Sequence, residues 1–139
     1  MKQHVFPMLS YEDVGRAADW LTKAFGFEER ERYADEEGTV THVTLALDDE
    51  LVFLGFPSPD YRGPRRHAEE CETARRWRET PYVVDGVMVY VDDVGAHFER
   101  AHREGAAILT EPEDNAAAGH RQYRVEDVEG HRWMFAQAT

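Results

Sequence analysis

The tripeptide Asp-Val-Gly stands at positions 13–15 and again at 93–95, 80 residues apart, and each copy opens the same succession of segments. A triplet recurs by chance easily. Recurrence inside a matched order of strand-like and helix-like segments marks two structural repeats that share one architecture.

In the first repeat, the apolar run His4–Tyr11 has strand length and ends at Glu12-Asp13. Asp13 is a candidate helix cap, because a carboxylate accepts from the unpaired amides of a first turn. Val14, Ala17, Ala18, Leu21, Ala24 and Phe25 then recur at helical spacing, and Gly26 supplies the stop. Three strands are predicted beyond it, over Phe27–Tyr33, Thr39–Leu47 and Leu51–Phe56, with turns around Asp35–Gly38 and Asp48–Glu50.

The second repeat runs from the apolar segment 83–91 through a capping Asp93 and helical positions Val94, Phe98 and Ala101 to a stop at Gly105. Strands are expected at Ala107–Thr110, Gln122–Val128 and Arg132–Gln137. The resulting fold class is α+β, with a first βαβββ module over 1–57, an insertion over 58–83 and a second module over 84–139. Within the insertion, His67–Arg78 reads as one short amphipathic helix lying over the fold or acting as a lid.

Charge excludes one class of function. Sixteen Lys and Arg stand against 28 Asp and Glu, a formal net charge of −12. Such a chain repels a phosphate backbone, so nucleic acid is not an expected partner. No stretch approaches the ~20 apolar residues of a membrane span, and the first residues lack the pattern of a secretory leader. Cys71 is the only cysteine, which rules out an internal disulfide and a cysteine-rich zinc site. Together these point to the cytoplasm.

The segments PMLSYEDVGRAADWLTKAFGFEE, GVMVYVDDVGAHFERAHREGA and YRVEDVEGHRWMFA resemble the glyoxalase/bleomycin resistance protein/extradiol dioxygenase superfamily, the vicinal oxygen chelate proteins. The closing Asp-x-Glu-Gly-His-x-Trp-x-Phe pattern, residues 127–135, is the most distinctive piece. The resemblance implies that each module curls its strands into half a cup, that two modules complete a pocket for a metal or a small molecule, and that the protein works as a homodimer. Relatives of this kind include isomerases and lyases, dioxygenases, resistance transferases and metal-free antibiotic-sequestering proteins, and the fold alone does not choose among them.

Metal-dependent members place His, Gln or Glu on the first and last strands of the two modules. Carried onto this chain, those positions fall on Phe6, on Phe53 or Leu54, on Gly86 and on Met134. None offers an oxygen or nitrogen ligand, so neither a metal nor another cofactor is expected. A two-residue register slip would bring in His4 or Arg132. His4, His42, His120 and His131 lie on or beside strands, but spacing identifies no carboxylate partner for them.

If strand parity follows the family, Phe6, Met8, His42, Tyr90 and Met134 face the cup and are the ligand-binding candidates, joined by Trp77 of the insertion. Leu9, Val89, Val91, Trp133 and Phe135 then pack under the helices, and Trp20 and Trp133 belong to the core. Tyr90, Phe6 and Trp77 are the expected stacking groups, and His42 a hydrogen-bond partner or proton shuttle.

Two further features admit a chemical reading. His67 and Cys71, four residues apart on one predicted helix face, could form a thiolate site, although nothing marks a third, orienting group. Arg62, Arg65, Arg66, Arg75, Arg76 and Arg78 could recognise an anion, or pair with Glu69, Glu70, Glu72 and Glu79 on a solvated helix. The favoured expectation is a metal-free small-molecule binding protein of the antibiotic-sequestering type. The alternative is a glyoxalase-like lyase, isomerase or dioxygenase using a divalent metal at displaced ligands.

Overall fold

Asp13 and Asp93 each sit in extended backbone and accept from the amide three residues on, Arg16 at 3.1 Å and Ala96 at 3.0 Å. A computed structural model, which describes residues 2–81 and 84–139, builds one α-helix after each cap. Helix α1 spans Val14–Phe25, and its end is fixed by Gly26 in the left-handed region at φ 82°.

The described residues divide between Gly63 and Pro64 into two compact units. In the first, β1 (Met8–Ser10), β2 (Glu28–Ala34), β3 (Val40–Leu47) and β4 (Glu50–Gly55) form a four-stranded sheet in the order β1-β4-β3-β2. Strand β1 pairs parallel to β4 and the other pairs are antiparallel. Residues alternate along each strand, so Val43, Leu45, Val52 and Leu54 turn one way and are buried, under the apolar stripe of α1 that includes Leu21 and Phe25. Each such side chain contributes about 1.5–3 kcal/mol by leaving water.

The expected first strand is shorter than its apolar run. Pro7 lacks an amide to donate, and only its carbonyl joins the sheet, accepting from Phe53. Upstream, the Gln3 side-chain amide takes the place of a backbone partner, donating to the Leu51 carbonyl at 3.0 Å and accepting from the Leu51 amide at 2.7 Å.

The second unit holds two short helices, α2 (Pro64–Glu70) and α3 (Glu72–Trp77), then β5 (Val87–Tyr90), α4 (Val94–Arg103), β6 (Ala107–Asn115), β7 (His120–Glu126) and β8 (Arg132–Ala138). Its sheet runs β5-β8-β7-β6, with β5 parallel to β8, the same plan as the first. Even the irregularities repeat. A register shift falls between Glu29 and Glu31 in β2 and between Ile108 and Thr110 in β6. The two tandem βαβββ modules expected from the repeat are therefore present, each with a mixed four-stranded sheet.

Two expectations change. The single helix over His67–Arg78 is two helices, because Cys71 adopts extended backbone (φ −142°, ψ 114°) and begins α3. The expected strand at Ala107–Thr110 also runs on to Asn115 as β6. Tyr82 and Val83, where the expected insertion ends and the expected strand begins, lie outside the described residues.

Candidate functional site

On the first sheet, the residues turned away from Val43 and Leu54 are Met8, Phe53, Thr44 and His42, brought side by side by the pairing of Met8 with Phe53 and of Thr44 with Phe53. Phe6 follows the same parity and lies flat on Phe53, ring centroids 5.3 Å apart and planes within 7°. His42 meets Phe53 with ring centroids 5.6 Å apart and Tyr33 at 5.7 Å, both tilted. The result is a row of four rings, Phe6, Phe53, His42 and Tyr33, in which Phe6 and Tyr33 are exposed, as is the neighbouring Met8. The His42 Nε2 lies 2.8 Å from the Thr44 hydroxyl, which fixes the imidazole plane. Glu31 holds the Tyr33 hydroxyl above its ordinary pKa by charge and by hydrogen bond, and the phenol donates its proton to Glu31.

Two of the four positions at which the resemblance puts metal ligands are thus filled by rings pressed against each other. In the second unit, β5–β8 pairing sets Met88 opposite Met134, with Gly86 just beyond the end of β5. Phe6, Phe53 and Gly86 have no donor atom and Met134 only a thioether, so the residues present do not fit a divalent cation there. Among the described residues no group of three or more His, Cys, Asp or Glu is gathered elsewhere. A slip that would import Arg132 is closed off by its own engagement. Arg132 is buried and holds Glu126 at 3.1 Å and the Thr80 and Arg78 carbonyls.

The second sheet divides by parity as expected. Val89, Trp133 and Phe135 lie on the face under α4, where His97 covers Phe135 at 4.0 Å and Phe98 meets Tyr123 edge-on at 5.4 Å. Met88, Tyr90, Arg124, Gln122 and Met134 lie on the other. There a recess of about 150 Å³ is lined by Met88, Met134, Arg124, Arg132 and Gly86, among others. Tyr90 is exposed, and its hydroxyl reaches His120 Nδ1 at 3.2 Å.

The insertion residues go elsewhere. Cys71 is at the start of α3, not on a helix face shared with His67, so the helical geometry that would couple imidazole to thiol is missing. Trp77 ends α3 and is half exposed. Trp20 packs edge-on against Phe25 and is only partly buried, whereas Trp133 is buried outright. Of the arginines, Arg75 pairs with Glu72 as a solvated helix would have it. Arg78 and Arg65 instead reach Glu126 at 2.6 and 3.4 Å. Burial pulls the Arg78 guanidinium below its ordinary pKa, with Glu126 opposing and Arg132 and Arg65 adding to the effect.

The closing pattern proves to be a turn lock. Asp127, buried, accepts from the Glu129 and His131 amides, both at 3.0 Å, and from the Trp133 indole at 3.1 Å. Gly130 sits at φ +94°, where a Cβ would stand 2.8 Å from the Arg65 backbone nitrogen. Sequence reasoning did not anticipate Phe53 and Tyr33 as ring partners, or Gln122 and Glu126 as hubs. Alternation along β3 and β4 carried the signal for Phe53, but choosing its neighbours required the register.

The family model described as Glyoxalase/Bleomycin resistance protein/Dioxygenase superfamily matches residues 3–135. Uncharacterized proteins of Mycobacterium bovis and Mycobacterium tuberculosis are each 30% identical over 131 residues, which is 94% of this chain and 80% and 72% of theirs. Among solved structures, TioX from a Micromonospora species is 31% identical with a TM-score of 0.70, over 99% of this chain and 97% of that one. TnmS3, an antibiotic binding protein from a Streptomyces species, shares the fold at TM-score 0.68 and 19% identity, over 99% and 98%. FosX, the fosfomycin resistance protein of Listeria monocytogenes, does so at 0.66 and 10%, over 100% and 95%.

Proposed function

Because the chain belongs to the glyoxalase/bleomycin resistance protein/dioxygenase superfamily, we propose that it binds a flat, largely apolar organic molecule of antibiotic-like kind, without a metal, as a cytoplasmic homodimer. The observation that carries this reading is the stack of Phe6 on Phe53 at positions where metal-dependent members place ligands. Rings offer a π face and no lone pair, so they favour stacking over coordination.

Met8 extends the platform with an adaptable thioether side chain. His42 and Tyr33 supply polar edges that fix orientation, the mix found in small-molecule sites. Antibiotic binding by the similarly folded TnmS3 is consistent with the ligand class. Among the described residues no helix is long and apolar enough to cross a membrane.

Calorimetric titration with planar aromatic compounds tests the reading, on protein produced with zinc, iron, nickel and manganese supplied. Saturable binding that survives chelator treatment and sedimentation at twice the chain mass are expected. Stoichiometric metal that is lost on His42→Ala would instead overturn the metal-free reading.

A further inference from the structure

One chain of hydrogen bonds on the second sheet has a polarity that can be read from end to end. It starts at a group whose direction is not in question, the backbone amide of Ala118, which donates to Asn115 Oδ1 at 3.2 Å. That contact turns the Asn115 NH2 toward Gln122 Oε1, 3.3 Å away. Gln122 Oε1 is therefore the acceptor, and His120 Nε2, 2.6 Å from the same oxygen, carries the proton. A neutral imidazole protonated at Nε2 has its lone pair at Nδ1, and the group 3.2 Å from Nδ1 is the Tyr90 hydroxyl. Tyr90 donates inward.

His120 is only 5% exposed, so water does not compete for either ring nitrogen. Tyr90 is 56% exposed and lines a recess of about 360 Å³ that Asp92 also borders. With its proton committed to His120, the Tyr90 oxygen has only lone pairs left to offer, and the Asp92 carboxylate bordering the recess likewise only accepts.

We infer that the recess beside Tyr90 is a subsite for a hydrogen-bond-donating group, a hydroxyl or an amine, on an aromatic ligand, and that the Ala118–Asn115–Gln122–His120 chain sets this selectivity. The inference rests on the small-molecule reading above and deepens it. Tyr90 acts as an acceptor rather than as a stacking platform. Asn115, Gln122 and His120 are positioning residues, which never touch the ligand.

Two probes that differ in one donor decide the matter, 2-naphthol and 2-methoxynaphthalene. The protein binds 2-naphthol about tenfold tighter, the worth of one well-made hydrogen bond. In Tyr90→Phe, which keeps the ring and removes the hydroxyl that donates to His120, that preference disappears and the two probes bind alike. Equal binding of both probes by the unaltered protein overturns the subsite alone. Binding of neither overturns it together with the flat-ligand reading. Independently, long-range nitrogen–proton correlation NMR of the ligand-free protein at mildly alkaline pH is expected to show His120 protonated at Nε2. A proton on Nδ1 overturns the chain.

Discussion

Three side chains decide most of what is specific to this protein. Phe53 stands between Phe6 and His42, so it is the member whose loss breaks the row of rings. Phe53→Ala is expected to weaken planar aromatic probes at least about tenfold by calorimetry, since a stacked pair and its buried area are lost together. Adding Phe6→Ala to it should cost little more, because one stack cannot be lost twice. Glu126 is the hub for Arg65, Arg78 and Arg132. Glu126→Gln leaves three guanidinium groups around a neutral amide, and urea denaturation is expected to register a loss of about 3 kcal/mol. Tyr123 is fully buried and its hydroxyl meets His97 Nδ1 at 2.6 Å. Burial raises its pKa far above the ordinary phenol value, whereas the unfolded chain ionises near the usual value of ~10. The folded state then holds the proton longer, so stability is intact below that pH and falls as pH rises above it. Alkaline melting curves of Tyr123→Phe should lack this component of the decline.

At the scale of elements, caps and turns are the points of leverage. Asp13→Ala and Asp93→Ala each remove one accepted first-turn bond and are expected to cost about 1 kcal/mol in chemical denaturation. Gly130→Ala is a heavier change. It combines a left-handed backbone with a Cβ driven against Arg65, whose amide donates to Glu129 at 3.1 Å. Loss of protection of the α2 amides in hydrogen exchange is the expected signature.

These cases also show what could be read from the chain itself. Caps, helical periodicity and strand alternation are local, so α1, α4 and most strands follow from residues within a few positions of one another. Side-chain parity is local too, which is why Met8 and His42 turn away from the buried Val43 and Leu54, and Tyr90 and Met134 away from Trp133 and Phe135. Partnership across strands is not local. That Phe6 meets Phe53, or that Arg78 turns from its helical neighbours to Glu126, depends on register and on where the chain returns. The break at Cys71 is a further case, because the local pattern of residues 67–78 fits one helix as well as two.

For the whole molecule, the acidic surface sets the response to solvent. A net charge of −12 repels itself in the compact state, and salt screens that repulsion over a Debye length of roughly 10 Å at 0.1 M. Melting temperature is therefore expected to rise with sodium chloride, measured from low salt to about half molar. The proposed stacking site answers differently. A π face carries no net charge, so affinity for neutral aromatic probes should stay nearly constant across the same series. The lock at Gly130 bears on how such proteins can be recombined. Its grip on Arg65 ties the segment after Gly63 to the closing turn, so a chimera joined near residue 83 would pair one parent's α2 with another's turn and meet a steric mismatch. A crossover at 63/64 keeps lock and key from the same parent, and that seam is where shuffled descendants of this architecture should survive.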